Sequence, residues 1–82
     1  MTHNLKIRTC FAYAILTGEK TFEIRYNGDR GFQKGDIINF IPVDDAGRIT
    51  GHDIEDKTYR VTYVLSGFGL DKDYVAFGIK EV

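Results

Sequence analysis

Glycine-rich turns divide this short sequence into five stretches with the alternating or wholly apolar pattern of β-strands, and only one stretch has helical spacing. The strands are predicted at residues 4–8, 20–26, 37–41, 58–65 and 74–79. Residues 48–56 are polar and weakly patterned, so they form either a short sixth strand or an exposed loop. Because so many strands in so few residues must hide their edges, the pattern favours a small, closed or nearly closed barrel, with a two-layer α+β sandwich as the alternative.

The single helix is predicted to begin with Thr9 as its N-cap and to run to about Thr17, with Gly18 ending it. Cys10 lies in the apolar run at the start of this helix, where a cysteine usually fills a core. One cysteine cannot form an internal disulfide, and no leader or long apolar stretch is present. We therefore expect a cytoplasmic protein without a membrane role.

Alternation along the strands predicts which side chains face the core. In residues 20–26, Phe22 and Ile24 are expected to point inward, while Thr21, Glu23 and Arg25 point the other way. This strand would then present Glu23 and Arg25 to solvent.

The same argument assigns the later strands. In residues 58–65, Val61, Tyr63 and Leu65 are predicted to share the inward side. The inward side of the last strand is predicted to carry Val75, Phe77 and Ile79. Pro42 is expected to close the third strand, because proline cannot donate to a strand ladder, and residues 44–47 are expected to form a hairpin tip.

The length of 82 residues predicts one domain over residues 1–82. Its net charge of −1 argues against non-specific nucleic-acid coating, which requires several uncompensated cations. The charge is unevenly distributed: residues 1–35 hold six basic and three acidic residues, whereas residues 36–82 hold five basic and nine acidic residues. The amino-terminal part is therefore the better candidate for an anion-binding side, unless the asymmetry is mere scatter.

Three charged residues, Lys20, Glu23 and Arg25, fall within one short segment. Arginine presents a rigid fork of donors and a carboxylate accepts from amino groups, so together they suit a polar planar ligand. The alternative is a ladder of surface ion pairs. Phe68, between two glycines in a predicted loop, is a candidate for stacking on a base.

Residues 18–25 read Gly-Glu-Lys-Thr-Phe-Glu-Ile-Arg and match the G-x-K-x-x-E-x-R signature of the ASCH (activating signal cointegrator homology) domain, a branch of the PUA-like superfamily. The rest of the chain resembles a compact bacterial and phage-borne ASCH-like family of unknown function. The matching segments are residues 3–6, 32–36, 61–65, 67–70 and 74–75. The resemblance implies a mainly β, PUA-like pseudobarrel of five to six strands with one early helix.

The resemblance also implies a function. ASCH domains are proposed to bind RNA or nucleotides in a cleft near the signature residues, which here are Lys20, Glu23 and Arg25. His3 and Lys6 occupy motif positions of the smaller family and join the expected ligand-binding set. The expected partner is thus an RNA segment or a nucleotide-like small molecule, and no oligomeric state is predicted.

Two other functions remain open. A related branch of the superfamily removes the acetyl group from N4-acetylated cytidine with a lysine and a threonine three residues later; here Lys20 is present, but Glu23 stands at the threonine position. If the chain were such an amidohydrolase, Lys20 and Glu23 would carry the catalysis. The third possibility is a protein-interaction module. No cofactor is expected, and His3, His52 and Cys10 lack the spacing of metal ligands.

Overall fold

A computed structural model describes residues 1–82 and contains five strands and one α-helix. The strands are β1 (Thr2–Arg8), β2 (Phe22–Tyr26), β3 (Ile37–Val43), β4 (Tyr59–Ser66) and β5 (Tyr74–Glu81). The helix α1 (Thr9–Leu16) joins β1 to β2, and a single 3₁₀ turn (Asp53–Asp56) precedes β4. No helix is long and apolar enough to span a bilayer.

The five strands form one sheet in the order β1-β3-β4-β5-β2, in which β1 and β3 are parallel and the other neighbours are antiparallel. The sheet curves into a half-barrel around the core, so the prediction of a mainly β pseudobarrel with one early helix is confirmed. Strands β1 and β2 are the two edges of this sheet. They do not pair with each other, and α1 connects them.

One cluster of buried side chains forms the core, with contributions from every strand except β2. Phe77 of β5 lies at its centre, with its ring 4.7 Å from that of Phe32. Val75, Phe77 and Ile79 all face inward, as predicted from their alternation. Ile54 of the 3₁₀ turn is fully buried, so the weakly patterned segment 48–56 is a loop that closes one end of the core.

The prediction of which β2 side chains face the core was wrong. Glu23 is only 4% exposed, whereas Phe22 and Ile24 are 47% and 52% exposed. Antiparallel pairing places Glu23 opposite Phe77 and Phe22 opposite Gly78. Because side chains directly opposite one another share a face of the sheet, the inward position of Phe77 turns Glu23 inward.

The inward position predicted for Tyr63 was also wrong. The β4–β5 register shifts between Val61 and Tyr63, so a β-bulge interrupts the alternation. Val61 remains buried and Val64 becomes half-buried, whereas Tyr63 is 64% exposed. Beyond the bulge, therefore, every side chain of β4 lies on the face opposite to the one expected.

Two of three predictions about the helix segment also change. Cys10 is exposed, because α1 buries Ala12 and Ile15 and turns Cys10 to the other side. The N-cap residue is Arg8, and it makes no side-chain cap. Gly18 adopts a φ of +82° after the helix, as expected of a residue that ends it.

The third strand does not stop before Pro42. Pro42 is buried within β3 opposite Ile7 of β1, and the strand ends at Val43. Strand β4 pairs with β3 only at Ile37 and Ile38. Because β4 does not reach Pro42, it needs no hydrogen bond from that position, where proline has no N–H to donate.

Candidate functional site

A cleft of about 390 Å³ lies between the two edges of the sheet. It is lined by residues 6–8 at the end of β1, Phe11 of α1, Lys20, and residues 22–25 of β2. These segments meet because α1 carries the chain from one sheet edge to the other and Gly18 turns it back into β2. The cleft therefore forms where the half-barrel remains open.

The buried carboxylate of Glu23 lies at the centre of this cleft. Its Oε1 accepts hydrogen bonds from Arg25 Nε at 2.9 Å and from Arg25 Nη2 at 2.6 Å. Its Oε2 accepts a hydrogen bond from Lys20 Nζ. Both oxygens are thus satisfied, which a nearly buried carboxylate requires.

Arg25 also joins the two edges of the sheet. Its Nη2 donates to the backbone carbonyl of Lys6, in β1, at 2.9 Å. The half-buried guanidinium therefore spans a gap that no backbone ladder closes. Its Nη1 donates to no group of the protein, which leaves two N–H groups for a ligand or for water.

Lys20 lies between a carbonyl and two aromatic rings. Its Nζ donates to the backbone carbonyl of Phe22 at 2.6 Å and lies 5.1 Å from the centre of the Phe22 ring and 5.7 Å from that of Phe11. Cation–π contacts of this length favour a fixed ammonium position. Phe11 and Phe22 are both about half-exposed and both line the cleft, so two aromatic rings lie beside Lys20 there.

The cleft is strongly cationic in a protein whose net charge is −1. It holds four basic side chains, Lys6, Arg8, Lys20 and Arg25, against the single carboxylate of Glu23. Lys6 and Arg8 are exposed, and their side chains make no ion pair or hydrogen bond. Three uncompensated positive charges beside half-exposed rings suit an anionic ligand with a planar group.

The structure brings four of the six predicted ligand-binding residues together: Lys6, Lys20, Glu23 and Arg25 all line the cleft. Arg8, Phe11 and Phe22 line it as well but were not predicted. The sequence could have indicated Arg8, because alternation along β1 places it on the same outward side as Lys6. The positions of Phe11 and Phe22 depend on contacts that only the folded chain makes.

His3 does not line the cleft. It is buried in β1 with its ring 4.6 Å from that of Phe32, and its Nε2 donates to Asp36 Oδ2 at 2.8 Å. The inward alternation of β1 places His3 with Leu5 and Ile7, so its observed contacts are structural.

Asp36 completes this buried pair. Burial by itself raises the pKa of the Asp36 carboxyl. The carboxylate, however, accepts hydrogen bonds from His3, from the backbone N–H of Gln33 and from the terminal ammonium of Met1. These bonds outweigh burial, so the pKa of Asp36 lies below its ordinary value of 3.8. The His3–Asp36 pair therefore fixes the start of β1 to the turn before β3.

Phe68 does not line the cleft either. It is 91% exposed at the tip of the β4–β5 loop and has a φ of +54°, between two glycines that also have positive φ. It lies beyond the end of the sheet because the loop turns away after Ser66.

The profile of the family described as "Domain of unknown function (DUF3850)" matches residues 2–79. The chain belongs to this family. The match includes every residue that lines the cleft, so the cleft lies wholly within the DUF3850 domain. No curated protein matches the chain.

Proposed function

We propose that this DUF3850 domain binds a nucleotide-type anion in the cleft, either as a free nucleotide or as part of an RNA segment. One observation carries the proposal: four basic side chains surround a single carboxylate between two half-exposed phenylalanines. The free Nη1 of Arg25, with Lys6 and Arg8, supplies donors for phosphate. The rings of Phe11 and Phe22 supply faces for a base.

The signature residues support the same proposal. The ASCH resemblance implies that Lys20, Glu23 and Arg25 act together, and all three line one cleft, where both cations form ion pairs with Glu23. A relation between the DUF3850 family and ASCH domains is part of what we propose. In this arrangement Glu23 orients the two cations, and the cations that lack partners meet the ligand.

Replacing Lys6 and Arg8 together by glutamine is expected to weaken binding of cytidine monophosphate by at least about tenfold, because each removes one charge-assisted contact. The thermal midpoint should hardly change, since neither side chain has a partner in the fold. Isothermal titration of wild type and variant with the nucleotide provides the measurement.

The matched control is Arg48→Gln, which removes an exposed cation paired only with Asp44, outside the cleft. It should bind the nucleotide as the wild type does. Equal affinity of the Lys6/Arg8 variant and the wild type would refute the proposal, as would the absence of nucleotide binding by the wild type at millimolar concentration.

Amidohydrolysis is the second candidate, because Lys20 and Glu23 are in direct contact within the cleft. Water would add to the acyl carbon, the C–N bond would break, and the released amine would take the proton. However, both oxygens of Glu23 already accept hydrogen bonds from cations, so a water molecule would have to compete with those bonds. Release of acetate from N4-acetylcytidine by the wild type, but not by Glu23→Gln, would favour the enzyme over the binder.

A further inference from the structure

A second exposed surface begins where the cleft ends. We define the outer aromatic face as the solvent side of β2, β5 and β4. Its large exposed side chains are Phe22, Ile24, Tyr26, Tyr63, Leu65 and Tyr74. Between the large side chains of β2 and those of β4, β5 contributes Ala76 and Gly78, and the hydroxyl of Thr62 lies over Gly78, so small side chains form the floor between two rows of large ones.

The registers of the two ladders fix this arrangement. Phe22 of β2 and Tyr63 of β4 both pair with Gly78, and the same relation places Ile24 and Leu65 on either side of Ala76. Soluble monomers rarely expose this many contiguous apolar side chains without a partner.

The charges on this face have one sign. Arg60 and Lys80 are paired directly across β4 and β5, both are exposed, and neither forms an ion pair. No carboxylate occupies an outward position of the three strands alongside them. Like charges directly opposite one another repel, so this pair of cations favours an anion above it.

The face is continuous with the cleft. Phe22 and Ile24 line the cleft and also belong to the outer aromatic face. A ligand whose phosphate lies in the cleft can therefore extend over Phe22 toward Tyr63 without leaving the protein surface.

We infer that the outer aromatic face extends the cleft into a stacking platform for single-stranded nucleic acid. This rests on the proposed function and identifies its ligand as an oligonucleotide strand. Exposed rings on a sheet stack on bases whatever their sequence, and flanking cations hold the phosphates. A second copy of this chain fits the face less well, because the face itself offers no carboxylate to Arg60 and Lys80.

The test uses a fluorescein-labelled octanucleotide of uridine, its deoxyribose counterpart, and uridine monophosphate as a probe of the cleft alone. Tyr63→Ala is expected to weaken octanucleotide binding by at least about fivefold and to leave binding of the mononucleotide unchanged. Tyr63→Phe keeps the ring and should bind as the wild type does. Tyr13→Ala, at an exposed tyrosine on α1 outside the face, is the matched control.

Arg60→Gln provides an independent readout. In a plot of log affinity against log salt concentration, the slope for the octanucleotide should become shallower by about 0.7, the contribution of one phosphate contact on a single strand. Arg48→Gln, outside the face, should leave the slope unchanged.

The outcomes separate the two proposals. If Tyr63→Ala weakens binding of the octanucleotide while the Lys6/Arg8 variant still binds cytidine monophosphate normally, stacking on the outer aromatic face is supported, but the cleft proposal fails and the face does not act as an extension of the cleft. If Tyr63→Ala binds the octanucleotide like the wild type, or if the wild type does not bind it, the platform is refuted. Concentration-dependent dimerisation that Tyr63→Ala abolishes would identify the face as a contact between copies and would also refute it. Preference for the ribose strand would identify RNA as the ligand.

Discussion

Replacing Arg25 by methionine is expected to lower the free energy of unfolding by about 3 kcal/mol, because one oxygen of a buried carboxylate then loses both of its charge-assisted hydrogen bonds. Glu23 is almost inaccessible to water, and Oε1 would keep no donor. The hydrogen bond to the carbonyl of Lys6, which joins the two edges of the sheet, would also be lost. Urea unfolding of wild type and variant at neutral pH measures the difference.

Two variants test the physical reason. Arg48→Met removes an exposed arginine from an ion pair with Asp44 and should cost less than about 1 kcal/mol. Replacing Lys20, Glu23 and Arg25 together by methionine, leucine and methionine should recover most of the lost stability, because no buried carboxylate oxygen then lacks a donor. A loss for Arg25→Met as small as that for Arg48→Met would show that the cluster behaves as a surface ion-pair ladder.

Replacing Asp36 by alanine is expected to lower the free energy of unfolding by about 2–3 kcal/mol, because the Nε2 of buried His3 and the backbone N–H of Gln33 lose their acceptor. Neither donor has another partner within the protein. The same denaturant titration measures this loss. An unchanged unfolding midpoint would contradict a structural role for the His3–Asp36 pair.

The contribution of Asp36 to the free energy of unfolding should decrease as the pH falls. Its pKa is lower in the folded protein than its ordinary value of 3.8, so the folded state favours the ionised carboxyl. The stabilisation is therefore present above that ordinary value and is lost as the pH falls through the lower, folded pKa. Between about pH 5 and pH 2, the stability difference between wild type and Asp36→Ala should shrink. A difference that stays constant over this range would contradict the assignment.

One of the two charged clusters serves structure, and the other also offers charges for recognition. His3 and Asp36 satisfy each other inside the protein, whereas the cations around Glu23 outnumber it. Removing Lys6 or Arg8 should therefore change affinity, and removing Arg25 should change stability. This difference makes Lys6 and Arg8 the better positions at which to test binding.

Local patterns in the sequence predicted the element types well. The five strands, the single helix with Gly18 after it, and the inward side of β5 all follow from alternation and turn residues that act over a few positions. The signature segment likewise placed Lys20, Glu23 and Arg25 close together, because they are neighbours along the chain.

The amino-acid sequence by itself thus determined the number and order of the strands, the positions of the turns between them, and which charges must lie near one another. Only the tertiary structure decided which side of β2 faces inward, because the pairing of Glu23 with Phe77 outweighs the local preference to bury Phe22 and Ile24. The bulge in β4 likewise exposed Tyr63, because a shift in its register with β5 reverses every side chain that follows in β4. Alternation reveals that a strand has two faces, but the partner strand determines which of them meets the core.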